Sequence, residues 1–187
     1  MKHGHRNKIA ALALGAVLSS AVWADDAFLK LSDIAGDSTD AQHPNEIALL
    51  SFSFGFEADS SWTRGGGVSV GKPNPGDLRV TAGMDRSLAG MVRKITEGKS
   101  SPTAVLSVRS SAPGNRVGFE YIRYTFSGVF FVNVDQALAG NGRAITGASM
   151  IYKTLMIEQF SPADGRRVSC VFWDIPGGSV EDCNASS

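Results

Sequence analysis

The chain is poor in the residues that most often carry catalysis or hold metal ions. Its 187 residues include three histidines and two cysteines, and no H-x-x-H or C-x-x-C spacing occurs. Zinc sites are built largely from histidine and cysteine ligands, and a serine nucleophile usually needs a histidine base. We therefore predict no metal, no cofactor and no enzymatic activity. His43 has polar neighbours and is predicted to be a solvated loop residue.

An excess of positive charge is also absent. Lys plus Arg and Asp plus Glu both total 18, and no segment forms the basic stripe that is typical of a nucleic-acid-binding protein. After residue 24, no apolar run approaches the roughly 20 residues that a helix needs to span a bilayer. We therefore expect no nucleic-acid partner, and no stable insertion of this part of the chain in a membrane.

Residues 1–24 have the pattern of a cleavable signal peptide. Three basic residues and no acidic one precede an apolar run over residues 9–23, and a small-x-small sequence ends at Ala24. This order is typical of secretory signals, and the run is short for a permanent anchor. We predict cleavage between Ala24 and Asp25, which leaves 163 residues with a net charge of −3, exported to the periplasm or secreted. An uncleaved N-terminal anchor is the alternative.

Alternating apolar residues predict β-strands over most of the remaining chain. Leu29 and Leu31 share one face of the first strand, and the apolar positions of three later segments alternate in the same way. Those positions are Phe52, Phe54 and Phe56; Leu78, Val80 and Ala82; and Ala104, Leu106 and Val108. Residues 118–134 are long enough for two strands or for one strand that bends at Gly128. Two Gly-rich segments, 59–76 and 137–147, are predicted to be long loops.

One segment has helical rather than strand periodicity. Its apolar stripe consists of Leu88, Met91, Val92 and Ile95, at spacings of three and four residues. Asp85 or Ser87 can cap the start of a helix over residues 86–97, and Gly98 can end it in the left-handed conformation. The sequence therefore predicts a mainly β domain with one helix.

The Gly-rich sequence GGGVSVGKP contains two overlapping enzyme motifs that the context does not support. Gly66 to Lys72 fits the phosphate-loop pattern G-x-x-x-x-G-K, but that loop must lead into a helix, and Pro73 follows instead of Ser or Thr. Gly67 to Gly71 fits the nucleophile elbow around Ser69, but His43 lies upstream and no helix signal follows. A flexible glycine-rich loop is the preferred interpretation.

Cys170 and Cys183 are the two cysteines of the chain. In an exported protein, an even number of cysteines favours a disulfide over a metal site. The alternative is that Cys170 is a small core residue and does not pair with Cys183 in the polar C-terminal segment. The sequence leaves both interpretations open, a Cys170–Cys183 disulfide and an unpaired Cys170 in the core.

The order of several motifs resembles the Hcp (haemolysin-coregulated protein) family, which forms the tube of type VI secretion systems. The family has an apolar-Phe-Leu/Ile-Lys-Leu/Ile strand, a Gly-Asp/Glu-Ser turn, a strand that reads Leu-Ser-aromatic-Ser-aromatic-Gly, a Gly-Lys after a Gly-rich loop, and a closing aromatic-x-Trp-Asp-Ile/x run. The matching residues here are 28–31, 36–38, 50–55, 65–72 and 170–175. The segment 84–111, with its helix and following strand, also resembles the family.

The resemblance implies a compact two-sheet β-barrel with one α-helix packed on its side. Together with the signal-peptide pattern, it divides the chain into a signal peptide (1–24), an Hcp-like barrel domain (25–176) and a polar C-terminal tail (177–187). It further implies a structural or carrier role in a hexameric homo-oligomeric ring that stacks into a tube, with type VI secretion components or small effector proteins as partners. No catalytic residue follows from it.

The same resemblance indicates candidate contact residues for the ring or its stacking. The segment 59–76 corresponds to an extended loop of the family that reaches across subunit or ring contacts, so Trp62, Arg64 and Lys72 are candidates for that interface. Packing of Trp62 on its own barrel is the alternative. Because tube subunits carry no cleaved signal, a second hypothesis is a secreted or periplasmic binding module or effector that reuses the barrel outside the tube.

Overall fold

The structure, a computed structural model, describes residues 25–63, 67–110 and 118–183. The predicted signal peptide, including Ala24, lies outside the described residues. Asp25, the residue that would follow the predicted cleavage, begins the first strand. The predicted cut therefore falls where the described fold starts.

Eleven strands and one helix make up the described chain. In order they are β1 (Asp25–Leu31), β2 (Ile47–Ser53), β3 (Phe56–Thr63), β4 (Gly67–Pro75), β5 (Leu78–Gly83), α1 (Ser87–Glu97), β6 (Ser101–Ser110), β7 (Phe119–Leu138), β8 (Ala144–Ile151), β9 (Thr154–Phe160), β10 (Arg167–Asp174) and β11 (Ser179–Asp182). The predicted fold class, a mainly β barrel with one helix, is confirmed.

Six strands close into a barrel. They follow one another in the order β7, β6, β1, β2, β5 and β8, and the additional pairing of β8 with β7 completes the circle. Every pairing around the barrel is antiparallel. Because the barrel is closed, each of these six strands has a paired neighbour on both sides. Closure is one way in which β proteins avoid edge-to-edge association.

A bend in β7 divides the sheet into a barrel and an outer extension. Gly128 adopts a φ of 59°, a left-handed conformation that favours glycine, and β7 continues through it as a single 20-residue strand. The half before the bend pairs with β9, and the half after it pairs with β8. β9 then leads outward to β10 and β11. Of the two alternatives that the sequence left open, two strands or one strand bent at Gly128, the structure has the single strand.

The core consists of the apolar faces that the alternation predicts. Leu29 and Leu31 of β1 are buried, as are the predicted positions of β5 and β6. Phe126 of β7 is fully buried where the barrel and the outer extension meet. Phe56 is an exception to the predicted face because it begins β3, and its side chain is 48% exposed.

The helix packs on the barrel much as predicted. Met91 is buried in the core, and Gly98 ends the helix with a φ of 64°. The Asp85 carboxylate accepts a hydrogen bond from the backbone N–H of Ser87 at 2.8 Å, which satisfies one free donor of the first turn. Val92 was predicted to belong to the apolar stripe that packs on the domain, and this was wrong, because Val92 is 43% exposed. The buried residues of the helix are Ser87 and Met91.

Both predicted long loops are largely strand. Residues 59–76 form most of a hairpin, in which β3 pairs with β4 in a separate two-stranded sheet. The segment 137–147 contains the end of β7 and the start of β8. The sequence pattern did not predict these strands because their residues are mostly small and polar. Their pairing rests on backbone hydrogen bonds and not on a buried apolar face. In the predicted tail 177–187, residues 179–182 form β11.

Candidate functional site: interaction surfaces of the barrel

The β3–β4 hairpin projects from the outer extension and is anchored at its base. Phe56 packs edge-on against Trp173 of β10, with ring centroids 5.6 Å apart. The backbone N–H of Gly76 donates to the carbonyl of Gly55 at 2.8 Å, and the Tyr152 hydroxyl donates to the Gly76 carbonyl at 3.3 Å. These contacts fix the direction in which the hairpin leaves the barrel.

Two of the three predicted contact residues, Trp62 and Lys72, lie on strands of this hairpin. The backbone of Trp62 pairs with that of Val68 near the tip, and the position of its side chain lies outside the description. Arg64 lies outside the described residues. Lys72 is exposed on β4. Their role in an interface therefore stays a prediction, and Lys72 is the one whose side chain is shown to be accessible.

Neither enzyme motif of the Gly-rich segment has the structure that its chemistry needs. β4 continues as an extended strand from Gly67 through Pro75 and is followed by β5. A phosphate loop or a nucleophile elbow must instead lead into a helix whose free N–H groups face the ligand or the reacting oxygen. The strand geometry agrees with the interpretation that these motifs are accidental.

A second surface, the apolar rim, is formed by Leu50, Met84 and Leu138 at one end of the barrel. Their exposed fractions are 67%, 63% and 73%, respectively. Leu50 lies on β2, Met84 directly follows β5, and Leu138 is the last residue of β7. β5 pairs with β2 and with β8, and β8 pairs with the end of β7. Leu50 and Met84 also line one groove together with Ile145. Exposed apolar side chains that cluster in this way are typical of protein–protein contacts.

A third surface, the outer groove, is almost wholly apolar. It is formed by residues of the outer extension and of the hairpin base: Phe56, Pro73, Ile157, Val171, Trp173 and Val180. Trp173 is the cross-strand neighbour of Val180, and Val171 is that of Ile157, so these side chains share one face of β9, β10 and β11. The groove thus joins the hairpin base to the C-terminal strand.

Near the start of β1, a polar cluster holds Arg109 in place. The guanidinium donates two hydrogen bonds to the Asp40 carboxylate, at 3.0 and 2.8 Å, and one to Asp26 at 3.1 Å. It also lies over the Phe28 ring, 5.1 Å from the centroid. A bidentate Arg–carboxylate pair is among the stronger polar contacts of proteins. The sequence analysis missed this cluster, because its members lie up to 83 positions apart.

The prediction that His43 is solvated was wrong. The side chain stacks on Phe28 with ring centroids 4.3 Å apart, and only 6% of the residue is exposed. Its Nδ1 atom lies 2.9 Å from a carboxylate oxygen of Glu46, which is also buried. Burial of a polar ring is tolerated when it is hydrogen-bonded. His43 therefore acts as part of the packing around Phe28.

Within the described residues, no group of three His, Cys, Asp or Glu side chains could hold a metal ion. The same part of the chain contains no helix that is long and apolar enough to cross a membrane.

Cys170 and Cys183 are joined as a disulfide in the structure, with their Cα atoms 5.0 Å apart. This distance is within the usual range for a disulfide.

The Arg109 cluster carries a pH dependence that can be measured. Hydrogen bonds from Arg109, and then from the backbone N–H groups of Gln42 and His43, lower the pKa of Asp40 from 3.8 to about 2. Because the pKa is lower in the folded state, this stabilisation is present above pH 4 and is lost as the pH falls toward 2. The shift corresponds to at most about 2.5 kcal/mol.

We expect Asp40→Asn to lower the free energy of unfolding by about 1–2 kcal/mol at pH 7, since partial solvent exposure weakens the pair. Urea unfolding at pH 7, 4 and 3 measures this, and the difference from the unmodified protein should shrink as the pH falls. The control is Asp164→Asn, which removes an exposed pair with Arg166 and should change little. An equal loss at all three pH values would contradict the role assigned to the carboxylate.

Comparison with known proteins is consistent with this architecture. Residues 28–161 match the family model described as type VI secretion system effector, Hcp. Protein hcp1 of Pseudomonas aeruginosa is 33% identical over 144 residues, which cover 76% of this chain and 88% of that protein.

Solved structures are similar in fold. A structure described as a type six secretion system protein is 25% identical, with a TM-score of 0.75 over 84% of this chain and 100% of that one. Hcp1 from Salmonella typhimurium is 22% identical, with a TM-score of 0.66 over 84% of this chain and 99% of that one. The chain therefore belongs to the Hcp family of type VI secretion proteins, which has a structural and secreted role and is not a known enzyme family.

Proposed function

We propose that this chain is a non-catalytic ring subunit of type VI secretion that is exported through a cleaved signal peptide. Six copies would form the hexameric ring that the family resemblance implies. A cyclic ring needs two different surfaces on each subunit that fit each other head to tail. The observation that carries the proposal is the apolar rim, whose three large side chains are more than 60% exposed.

The β3–β4 hairpin provides a second surface for contacts between copies. It pairs with no other strand in the described part of the chain, and its base is fixed on Trp173. A hairpin that is anchored at its base and pairs with no other described strand can reach a neighbouring subunit or ring. Trp62, Arg64 and Lys72 are the proposed contact residues there, because aromatic and Arg side chains carry much of the energy of interfaces.

Export is the part of the proposal that distinguishes this chain from a tube subunit assembled in the cytoplasm. Its support is the order of basic, apolar and small residues over 1–24, followed by a strand that begins at Asp25. The exported ring would work in the periplasm or outside the cell, with type VI secretion components or small effector proteins as its partners. No lipid anchor or nucleic acid is needed.

Light scattering of the exported protein, with reading of its N-terminal residue, tests both parts. We expect a chain that starts at Asp25 and has six times the monomer mass. A double variant, Leu50→Glu with Leu138→Glu, should raise the dissociation constant at least about tenfold, because an interface would bury unpaired carboxylates. The matched control is Val92→Glu, because Val92 lies on the helix, outside the apolar rim, and its side chain is 43% exposed.

A strict monomer at high concentration would overturn the ring, and an N-terminus at Met1 would overturn cleavage. An exported monomer would favour a second candidate function, a secreted binding module or effector that reuses the barrel. The observation that favours this candidate is the outer groove, which is open and apolar in a single copy of the chain. Replacement of the hairpin by a short Gly-Ser linker would then show whether partners bind through it.

A further inference from the structure

The C-terminal strand β11 has little side-chain packing to hold it. All four of its residues are exposed, whereas each of the other eight strands of the large sheet has at least one buried residue. Val180 is 63% exposed and makes its apolar contacts along the outer groove. A two-stranded pairing with no buried face is marginal in water. β11 therefore depends on the connections at its two ends.

One end of β11 is held by a tight turn, and the other by the disulfide. Gly178 has a φ of 65° in the turn that joins β10 to β11. At the far end, Cys183 is bonded to Cys170, which is fully buried. The Arg167 guanidinium donates to the Cys183 carbonyl at 3.1 Å, and the Cys183 N–H donates to the Cys170 carbonyl at 3.3 Å. The disulfide is thus the one covalent link between the exposed end of β11 and the core.

We infer that the Cys170–Cys183 pair is a redox latch that controls β11 and, through the outer groove, the base of the β3–β4 hairpin. When the bond is formed, β11 covers the edge of β10, and Val180 forms one wall of the groove. When the bond is reduced, β11 separates and the edge of β10 is bare. Both cysteines lie beyond residues 28–161, so the latch is outside the part of the chain that matches the family model.

The chemistry of the latch is thiol–disulfide exchange. Two thiols lose two protons and two electrons as the S–S bond forms, and an external disulfide accepts them and becomes a dithiol. A dithiol reductant runs the step in reverse and leaves both cysteines as thiols. The cytosol favours the thiols and the exported compartment favours the disulfide. The expectation that the disulfide forms in the native location of this chain rests on the proposed export. The latch itself does not depend on export.

Contacts on the groove connect the latch to the hairpin. Val180 of β11 lies beside Trp173 of β10, and Trp173 packs against Phe56 at the start of β3. Pro73 of β4 completes the groove from the other strand of the hairpin. Loss of β11 removes the Val180 wall and leaves Trp173 as part of an edge strand. The hairpin base should therefore loosen when the latch opens.

Hydrogen–deuterium exchange with mass spectrometry tests this on the full exported chain. The samples are the oxidised protein, the same protein after treatment with dithiothreitol, and Cys183→Ser with and without dithiothreitol. Closing a loop of this length favours the closed state by up to ~100-fold. We expect the amides of residues 179–183 to exchange about ten to a hundredfold faster without the bond. The amides of residues 56–58 and of Asn74 should show a smaller increase, since Pro73 and Pro75 have no amide hydrogen, and β1 and β6 should show none.

The controls separate the latch from other effects of reduction and mutation. Dithiothreitol should change nothing further in Cys183→Ser, and reduction of the unmodified protein tests the latch without any substitution. Equal protection of residues 179–183 with and without the bond would overturn the latch. Loosening of β11 with an unchanged hairpin base would overturn the coupling. The molecular mass is measured by light scattering in parallel. A monomeric mass would contradict the proposed ring, and the exchange data would still test the latch.

Discussion

Phe126→Ala is expected to lower the free energy of unfolding by about 3–5 kcal/mol, the range for loss of a buried phenylalanine. Phe126 is fully buried, and its ring contacts Tyr152 edge-on at 4.7 Å and Phe54 at 5.7 Å between centroids. It lies just before the bend of β7, where the barrel and the outer extension share the strand. A cavity there cannot easily be filled, because paired strands hold the neighbouring backbone on both sides.

Urea unfolding followed by tryptophan fluorescence measures this change. The matched control is Phe119→Ala, in the same strand, because Phe119 is 39% exposed. It should lose about 1 kcal/mol or less, as expected for a surface position away from the core. Similar losses for both variants would mean that Phe126 does not have the central position in the core that its burial indicates.

Gly36→Ala is expected to destabilise the protein by at least about 2 kcal/mol, because it forces an atom into a space that the backbone already fills. A Cβ atom at residue 36 would lie 2.3 Å from the carbonyl oxygen of Glu46. The clash is with backbone, so no side-chain rotation relieves it. The displaced segment also contains the hydrogen bond from Gly36 N–H to the Asn45 carbonyl, at 2.8 Å.

Gly55→Ala is the matched control, because a Cβ atom there would meet no atom within 4 Å. Thermal unfolding of both variants is compared, and only Gly36→Ala should lower the melting temperature by several degrees. A similar melting temperature for the two variants would contradict the close approach at Gly36. Gly36 is the glycine of the Gly-Asp-Ser turn that the family shares, so the structure gives that motif a steric reason.

The strands with one buried face could be predicted from the sequence. In β5 and β6, every second residue is apolar and contacts the core, so the period of two reports burial directly. The helix could also be predicted from its apolar periodicity, with spacings of three and four residues. Val92 shows that an apolar residue in this period can still face solvent. The hairpin of residues 56–75 was missed because its stability comes from backbone pairing and its base contacts.

The polar cluster could not be found by reading along the chain. The pairing of β1 with β6 places Asp26 opposite Arg109, 83 positions away. Asp40 reaches Arg109 from the connection between β1 and β2, across 69 positions. The prediction for His43 was made from its polar neighbours in the chain, but the residue is buried by stacking on Phe28 of β1. Of the candidate contact residues, Lys72 lies on the exposed hairpin, and its part in an interface remains a prediction, as do those of Trp62 and Arg64.

The pairing of β1 with β6 also has a consequence for the time course of folding. The partners in this ladder, from Asp25 with Ser110 to Leu31 with Ala104, are separated by 73 to 85 positions. Contacts at such separations make folding slow, on the order of milliseconds to seconds for β-barrels of this kind. The barrel can close only after most of the chain has been synthesised. A chain whose barrel closes late stays unfolded for longer, which would suit the export across a membrane that we propose.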